Sequence, residues 1–176
     1  MVTVLVAFGL ATLGLLAETL RRIEVNRTIR ELRTNHDVAV SMNAPAELLL
    51  ARVSFLIGHD RCDEVRPYIE VLDRREAGQP AATAHYNLAN CRLRQAFDLI
   101  AGSKLDSAGP FVVLARDEYR RALVLSPQDW DAKFNFDVAS RLIRDFPGFE
   151  RTSGDTVKED RKKIWTDIPG KPQGLP

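Results

Sequence analysis

The sequence predicts an all-α chain: an N-terminal membrane-anchor helix, then about three stacked helical hairpins, then an extended tail rich in proline and glycine. Three observations carry this expectation. Apolar residues recur at steps of three and four along most of the chain, the period of a helix with one buried stripe. Valine and isoleucine are not set in alternating runs, and the hairpin dipeptides Asn-Gly and Asp-Gly are absent. Finally, the helical stretches are separated by short connections marked by proline or glycine, as in YRRALVLSPQDWDAKFNF at 119–136. The 176 residues make one domain's worth of chain. With 25 basic and 24 acidic residues the net charge is +1, so there is no global field to attract nucleic acid.

The first element is the anchor, residues 1–20. Residues 2–17, VTVLVAFGLATLGLLA, carry no charge, and Glu18, Arg21 and Arg22 follow at once. These sixteen residues rise about 24 Å as a helix, short of the roughly 30 Å hydrocarbon core. Thr19, Leu20 and snorkelling arginines extend the segment enough to span. The stretch is apolar all round, which favours a single membrane anchor over a core helix. A cleaved signal peptide is the rival, but no basic segment precedes the apolar run. Arg21, Arg22, Arg27, Arg30 and Arg33 would by themselves hold that flank in the cytoplasm. Residues 21–43, charged on most helical faces, are expected to form a solvated helical stalk.

Residues 44–150 form the expected helical domain. Asn43 is a candidate cap for a helix with Pro45 and Glu47 in its first turn, carrying Leu48, Leu49, Val53, Leu56 and Ile57 and ending at Gly58. A second helix is expected over about 61–76 with Val65, Tyr68, Ile69 and Leu72 as its stripe, stopped by Ala77-Gly78-Gln79-Pro80. A long helix follows over about 81–101, using Ala84, Leu88, Cys91, Ala96 and Leu99. GSKLDSAGP, 102–110, reads as a loop. The next helix carries Val112, Ala115, Tyr119, Ala122 and Leu123 and ends near Leu125, because Pro127 disfavours helical geometry before it. The last begins at Trp130, with Trp130, Phe134, Val138 and Leu142 as its expected stripe. Asp129 and Asp131 cap and charge its start.

Ala115, Tyr119, Ala122 and Pro127 form A-x3-Y-x2-A-x4-P, and HYNLAN (85–90) and KFNFDV (133–138) share an aromatic-Asn-apolar core. These spacings resemble the second helix of a tetratricopeptide repeat, whose small residues let helices pack closely. His85 and Arg92 stand where the first helix of that repeat favours aromatics, so the array is a divergent one. A plain helical bundle is the alternative.

No constellation for chemistry stands out, and the chain is not expected to be an enzyme. His36, His59 and His85 are scattered, with no H-E-x-x-H and no metal-ligand spacing. Cys62 and Cys91 are not a C-x-x-C pair; they are small core residues or, in an oxidising compartment, a disulfide. The candidates point to binding instead. Asn87, Asn90 and Arg94 fall at helical spacing on one face and are candidates to hydrogen-bond a partner's backbone in the groove of a hairpin array. The alternative is that Asn87 and Asn135 bridge helices inside the stack. Ala115, Tyr119, Ala122, Pro127 and Trp130 are candidate repeat-packing residues. The tail, residues 151–176, contains three prolines and two glycines in its last eight residues, with Trp165, Ile168 and Leu175 as apolar anchors. Such a segment docks on a partner or packs back on its own domain.

Taken in order, the N-terminal anchor, AHYNLAN, the Y-R-R-A-L…P…W-D-A-K-F-N corner and the C-terminal W-x-x-I-P-G-x-P-x-G-L-P resemble the MxaK family. The tail is the most specific of these pieces, and the resemblance is strongest over 80–176. It implies a non-catalytic accessory protein for maturation, by calcium insertion or activation, of a periplasmic quinone-dependent methanol dehydrogenase. Implied partners are von Willebrand factor A-type membrane proteins and a MoxR-like ATPase. The implied location is the bacterial inner membrane, single-pass, with the folded domain in the periplasm. No cofactor is implied for this chain itself. The alternative function is a general tetratricopeptide-type adaptor of a bacterial envelope or stress system with another client.

Overall fold

The computed structural model describes residues 2–150; the side chains at 2, 4–7, 147 and 150 are outside that description. Among the described residues the chain is all-helical, with six α-helices, two short 3-10 turns and no strand.

Helix α1 spans Val2–Arg33 without a break. Its second half is not a free stalk. Val25, Ile29 and Leu32 recur at helical spacing and pack against the first core, and Leu32 is 3 % exposed. Three apolar residues among many charges suffice to dock a helix, because only one stripe need be buried. The connection to α2 is also held down. Asp37 accepts hydrogen bonds from Arg52 and from Arg61, the latter at 2.7 Å. Arg75 donates to the carbonyls of Ala44 and Met42 at 2.6 and 2.7 Å. The expected stalk, 21–43, therefore contributes to the folded body.

Helix α2 (Ala46–Gly58) buries Leu48, Leu49, Val53, Phe55, Leu56 and Ile57. Pro45, not Asn43, occupies its N-cap position. The backbone N–H of Asn43 donates to Ser41 Oγ at 3.2 Å. The expected helix over 61–76 is divided into a 3-10 turn, Cys62–Val65, and helix α3, Arg66–Arg74. Pro67 explains the division: it suits the first turn of an α-helix, whereas further inside it would remove a backbone hydrogen bond. Gly78, at φ +52°, then reverses the chain into α4, Gln79–Ala101.

Helix α5 (Leu105–Leu125) absorbs most of the expected loop at 102–110 and carries Pro110 inside it. Gly109, just before, has a specific purpose. A Cβ at that position would lie 2.7 Å from the Cα of Phe149. Its absence lets the 3-10 turn Pro147–Glu150 close on α5 and bury Phe149. Helix α5 ends at Leu125, before Pro127, and α6 (Trp130–Asp145) begins after Asp129, whose carboxylate accepts from the Ala132 N–H at 3.0 Å.

The buried face of α6 is not the stripe the large residues suggest. Ala132, Ala139 and Ile143 are buried, with Phe136 packed beside them, whereas Trp130 is 76 % and Phe134 69 % exposed. Trp130 is thus not a packing residue among the described ones. Helix α4 is the hub, packing on α2, α3, α5 and α6. Two core clusters result, one centred on α2 and α3, the other on α5 and α6, with α4 contributing to both.

Candidate functional site

The seam between the two cores is polar. His85, on α4, is 2 % exposed. Its Nδ1 lies 2.5 Å from Glu118 Oε2 on α5, and its Nε2 lies 3.0 Å from Asp73 Oδ1 on α3. Carboxylates accept only, so both contacts are satisfied together when both ring nitrogens carry a proton. Burial pulls the imidazole pKa down; the hydrogen bonds and charges of Glu118 and Asp73 together outweigh it, leaving the pKa raised above the ordinary 6.5. Arg121 stands 3.5 Å from the other oxygen of Glu118. A histidine with both nitrogens occupied and its ring out of solvent has no lone pair or proton to offer a substrate. It ties three helices together.

A covalent tie crosses the same seam. Cys62, in the 3-10 turn before α3, and Cys91, on α4, form a disulfide across 29 residues, with Cα atoms 6.3 Å apart. Beside it, Arg92 donates to Asp63 at 2.7 Å and to Gln95 at 3.0 Å.

The second polar bridge joins α4, α5 and α6. Asn90 Oδ1 accepts from the Tyr119 hydroxyl at 2.5 Å and from Asn135 Nδ2 at 3.1 Å. Tyr119 is fully buried, and burial raises its phenol above the ordinary range, which keeps the hydroxyl a donor. Asn90 is therefore engaged within the stack, not presented to a partner's backbone. Asn87 also turns toward a neighbouring helix, its Nδ2 3.5 Å from Ser54 Oγ on α2. Of the three residues expected on one binding face, Arg94 alone is exposed. Ala115, Tyr119 and Ala122 are buried between helices, while Pro127 is exposed at the corner. Trp165, Ile168 and Leu175, and the whole tail 151–176, lie outside the described residues.

His85 and its two carboxylates were not singled out as a cluster by sequence. A signal was present: His85 and Arg92 are the departures from the repeat's first-helix pattern, and both make inter-helix polar contacts. Among the described residues, no group of three His, Cys, Asp or Glu side chains could hold a metal ion. Two groups of exposed apolar side chains stand out among the described residues. One is the first half of α1, where Phe8, Leu10, Leu13, Leu15, Leu16 and Leu20 are 56–70 % exposed. The other is the outer face of α6 at Trp130 and Phe134. Among the described residues, no helix is long and apolar enough to cross a membrane; the uncharged run at the start of α1 includes residues 4–7, whose side chains are not described.

Comparison of the chain with protein-family models, with curated proteins and with solved structures gave no match.

Proposed function

We propose that this chain is a non-catalytic adaptor, anchored in a bacterial inner membrane by the first half of α1, with its helical body on the periplasmic side. Its client on this proposal is a calcium- and quinone-dependent methanol dehydrogenase, which it helps mature by calcium insertion or activation. Von Willebrand factor A-type membrane proteins and a MoxR-like ATPase act with it. The observation that carries the proposal is α1 itself: one continuous helix of 32 residues, docked by Val25, Ile29 and Leu32 and uncovered from Phe8 to Leu20. A helix that continues from a folded body into an apolar, partnerless half suits a membrane anchor rigidly coupled to its domain. The Cys62–Cys91 disulfide supports the periplasmic side, since such bonds persist in oxidising compartments. The client rests on the resemblance of the hairpin corner and tail to the MxaK family.

Two measurements test this. Alkaline phosphatase fused after Pro176 should be active in cells, and removal of residues 2–20 should release the body from membranes. Activity only from a cytoplasmic reporter would overturn the topology. For the client, the full chain should co-purify with the ATPase and the von Willebrand factor A-type proteins. Its deletion should leave the dehydrogenase protein present but inactive; an unchanged dehydrogenase would remove this client from the proposal.

A further inference from the structure

Helix α1 meets the start of α2 at a cleft of about 470 Å³. The α1 wall of this cleft follows directly on the exposed apolar half of the helix. Glu18, Arg21, Arg22, Val25, Asn26 and Ile29 recur there at steps of three and four, one face of a helix. Pro45 and Glu47 line the other side. Arg22 gives its Nε–H to Glu18 at 2.8 Å, and Arg21 stands 3.9 Å from the same carboxylate. A guanidinium has more donors than one such contact uses, so both arginines keep capacity for a second anion. Asn26 and Glu47 have no hydrogen-bond or ion-pair partner among the described residues. Val25, Ile29 and Pro45 are half-buried and supply the apolar part of the wall.

The height of the cleft decides what fills it. With Leu20 at the edge of the hydrocarbon, Arg22 lies about 3 Å and Asn26 about 9 Å further along the helix axis. The headgroup layer on each side of a bilayer is about 5–8 Å thick. The cleft therefore opens in the layer that holds lipid phosphates, and guanidinium groups match phosphate oxygens. Glu47 selects the rest of the headgroup. Its carboxylate disfavours a purely anionic one and accepts N–H donors. A quaternary ammonium has no N–H to give and is recognised by aromatic rings, of which the cleft has none among the described residues. We propose that this cleft binds the headgroup of a phospholipid ending in a primary ammonium, its phosphate on Arg21 and Arg22 and its ammonium on Glu47. The proposal rests on α1 being the membrane anchor. The bound lipid bridges α1 and α2 and fixes the body against the membrane surface.

The test uses the full chain in vesicles of equal parts phosphatidylethanolamine, phosphatidylcholine and phosphatidylglycerol with matched acyl chains. The vesicles are floated on a density gradient and extracted in mild detergent, and lipid retained on the chain is counted by mass spectrometry. The chain should float, and phosphatidylethanolamine should be retained several-fold above its share. Arg21→Gln with Arg22→Gln should bring retention of all three lipids to background. Glu47→Gln should keep retention but erase the choice among headgroups. These three residues are exposed and outside both cores, so far-ultraviolet circular dichroism of the variants should match the parent. A parent chain that floats but retains the three lipids equally, or prefers phosphatidylglycerol, overturns the proposal and leaves the anchor standing. A chain that does not float removes both. Inorganic phosphate and glycerophosphoethanolamine at millimolar concentration should leave the retained lipid in place. Displacement by either marks the cleft as a site for a soluble phosphate and also overturns the proposal.

Discussion

The two cores are built from different side chains. Around α2 and α3 the most deeply buried groups are aliphatic: Leu49, Val53, Leu56, Val65 and Leu72, each 1 % exposed or less. Around α5 they are mostly alanines, Ala89, Ala96, Ala108, Ala115 and Ala139, each 0 % exposed, gathered about one large residue, Tyr119. Alanine lets helices approach closely but contributes little apolar area of its own. The first core spreads its stability over many side chains. The second has Tyr119 as its largest fully buried side chain, with Val112 beside it and Leu93, Ile143 and Phe149 buried around it; the Tyr119 hydroxyl donates to the Asn90 side-chain oxygen. The first half also closes on itself, with α1 docked over α2, whereas among the described residues the outer face of α6 keeps Trp130 and Phe134 exposed.

The largest effect should therefore come from Tyr119→Ala. Truncating a fully buried aromatic costs about 3–5 kcal/mol. Tyr119→Phe, which keeps the ring, should cost about 1 kcal/mol. Urea unfolding gives both numbers. Amide exchange should show α5 and α6 losing protection before α2 does; uniform loss across all helices would mean the two cores do not differ in the way described.

Next is the covalent seam. Opening the Cys62–Cys91 bond, by reduction or by paired Cys→Ser substitution, frees a loop closed over 29 residues and should cost about 3–4 kcal/mol. It should also loosen the coupling of the halves. The expected result is a single denaturant transition in the oxidised chain and two in the reduced one, the α5–α6 half unfolding first. A single transition shifted as a whole would assign the coupling to the His85 junction.

That junction titrates, and its effect is graded. The folded pKa of His85 is raised above the unfolded value of about 6.5. A raised pKa contributes stability that is fully present below 6.5 and lost as pH rises through the folded pKa. The chain should accordingly lose stability as pH climbs from 6.5 upward, and a His85→Gln variant should lack that decline over the same window. A decline that survives in the variant would locate the titrating group elsewhere.

How much of this could be read beforehand depended on which physical signal carried it. Helix-breaking residues were legible: Pro127 follows the end of α5 at Leu125, and Gly78 lies between α3 and α4, with Pro80 in the first turn of α4. The buried set Ala115, Tyr119 and Ala122 follows from helical spacing. The phase of α6 did not follow, because Trp130 and Phe134 outweigh Ala132 and Ala139 in any hydrophobic pattern, yet the alanines are what a close-packed neighbour selects. Gly109-Pro110 looked like a loop because its two breakers are adjacent. Their role depends on Phe149, which lies forty residues further along Gly109's own sequence. His85 was invisible as a cross-link since Asp73 and Glu118 come from other helices, and sequence spacing says nothing of contacts between elements.

The smallest expected effect tests a feature that is purely local, the start of α6. Asp129 accepts from the Ala132 N–H, one of the four N–H groups a helix leaves unpaired at its start. Its carboxylate also stands at the positive end of the helix dipole. Asp129→Ala should cost about 1 kcal/mol and Asp129→Asn less, since the amide oxygen can still cap. The pair of variants separates charge from hydrogen bonding. Because α6 is held on one side by small residues, fraying at its first turn should spread further along it than the same lesion would in α2. Amide exchange at Lys133–Phe136 measures that directly. Fraying confined to Ala132 would show that the alanine face grips α6 as firmly as the aliphatic core grips α2.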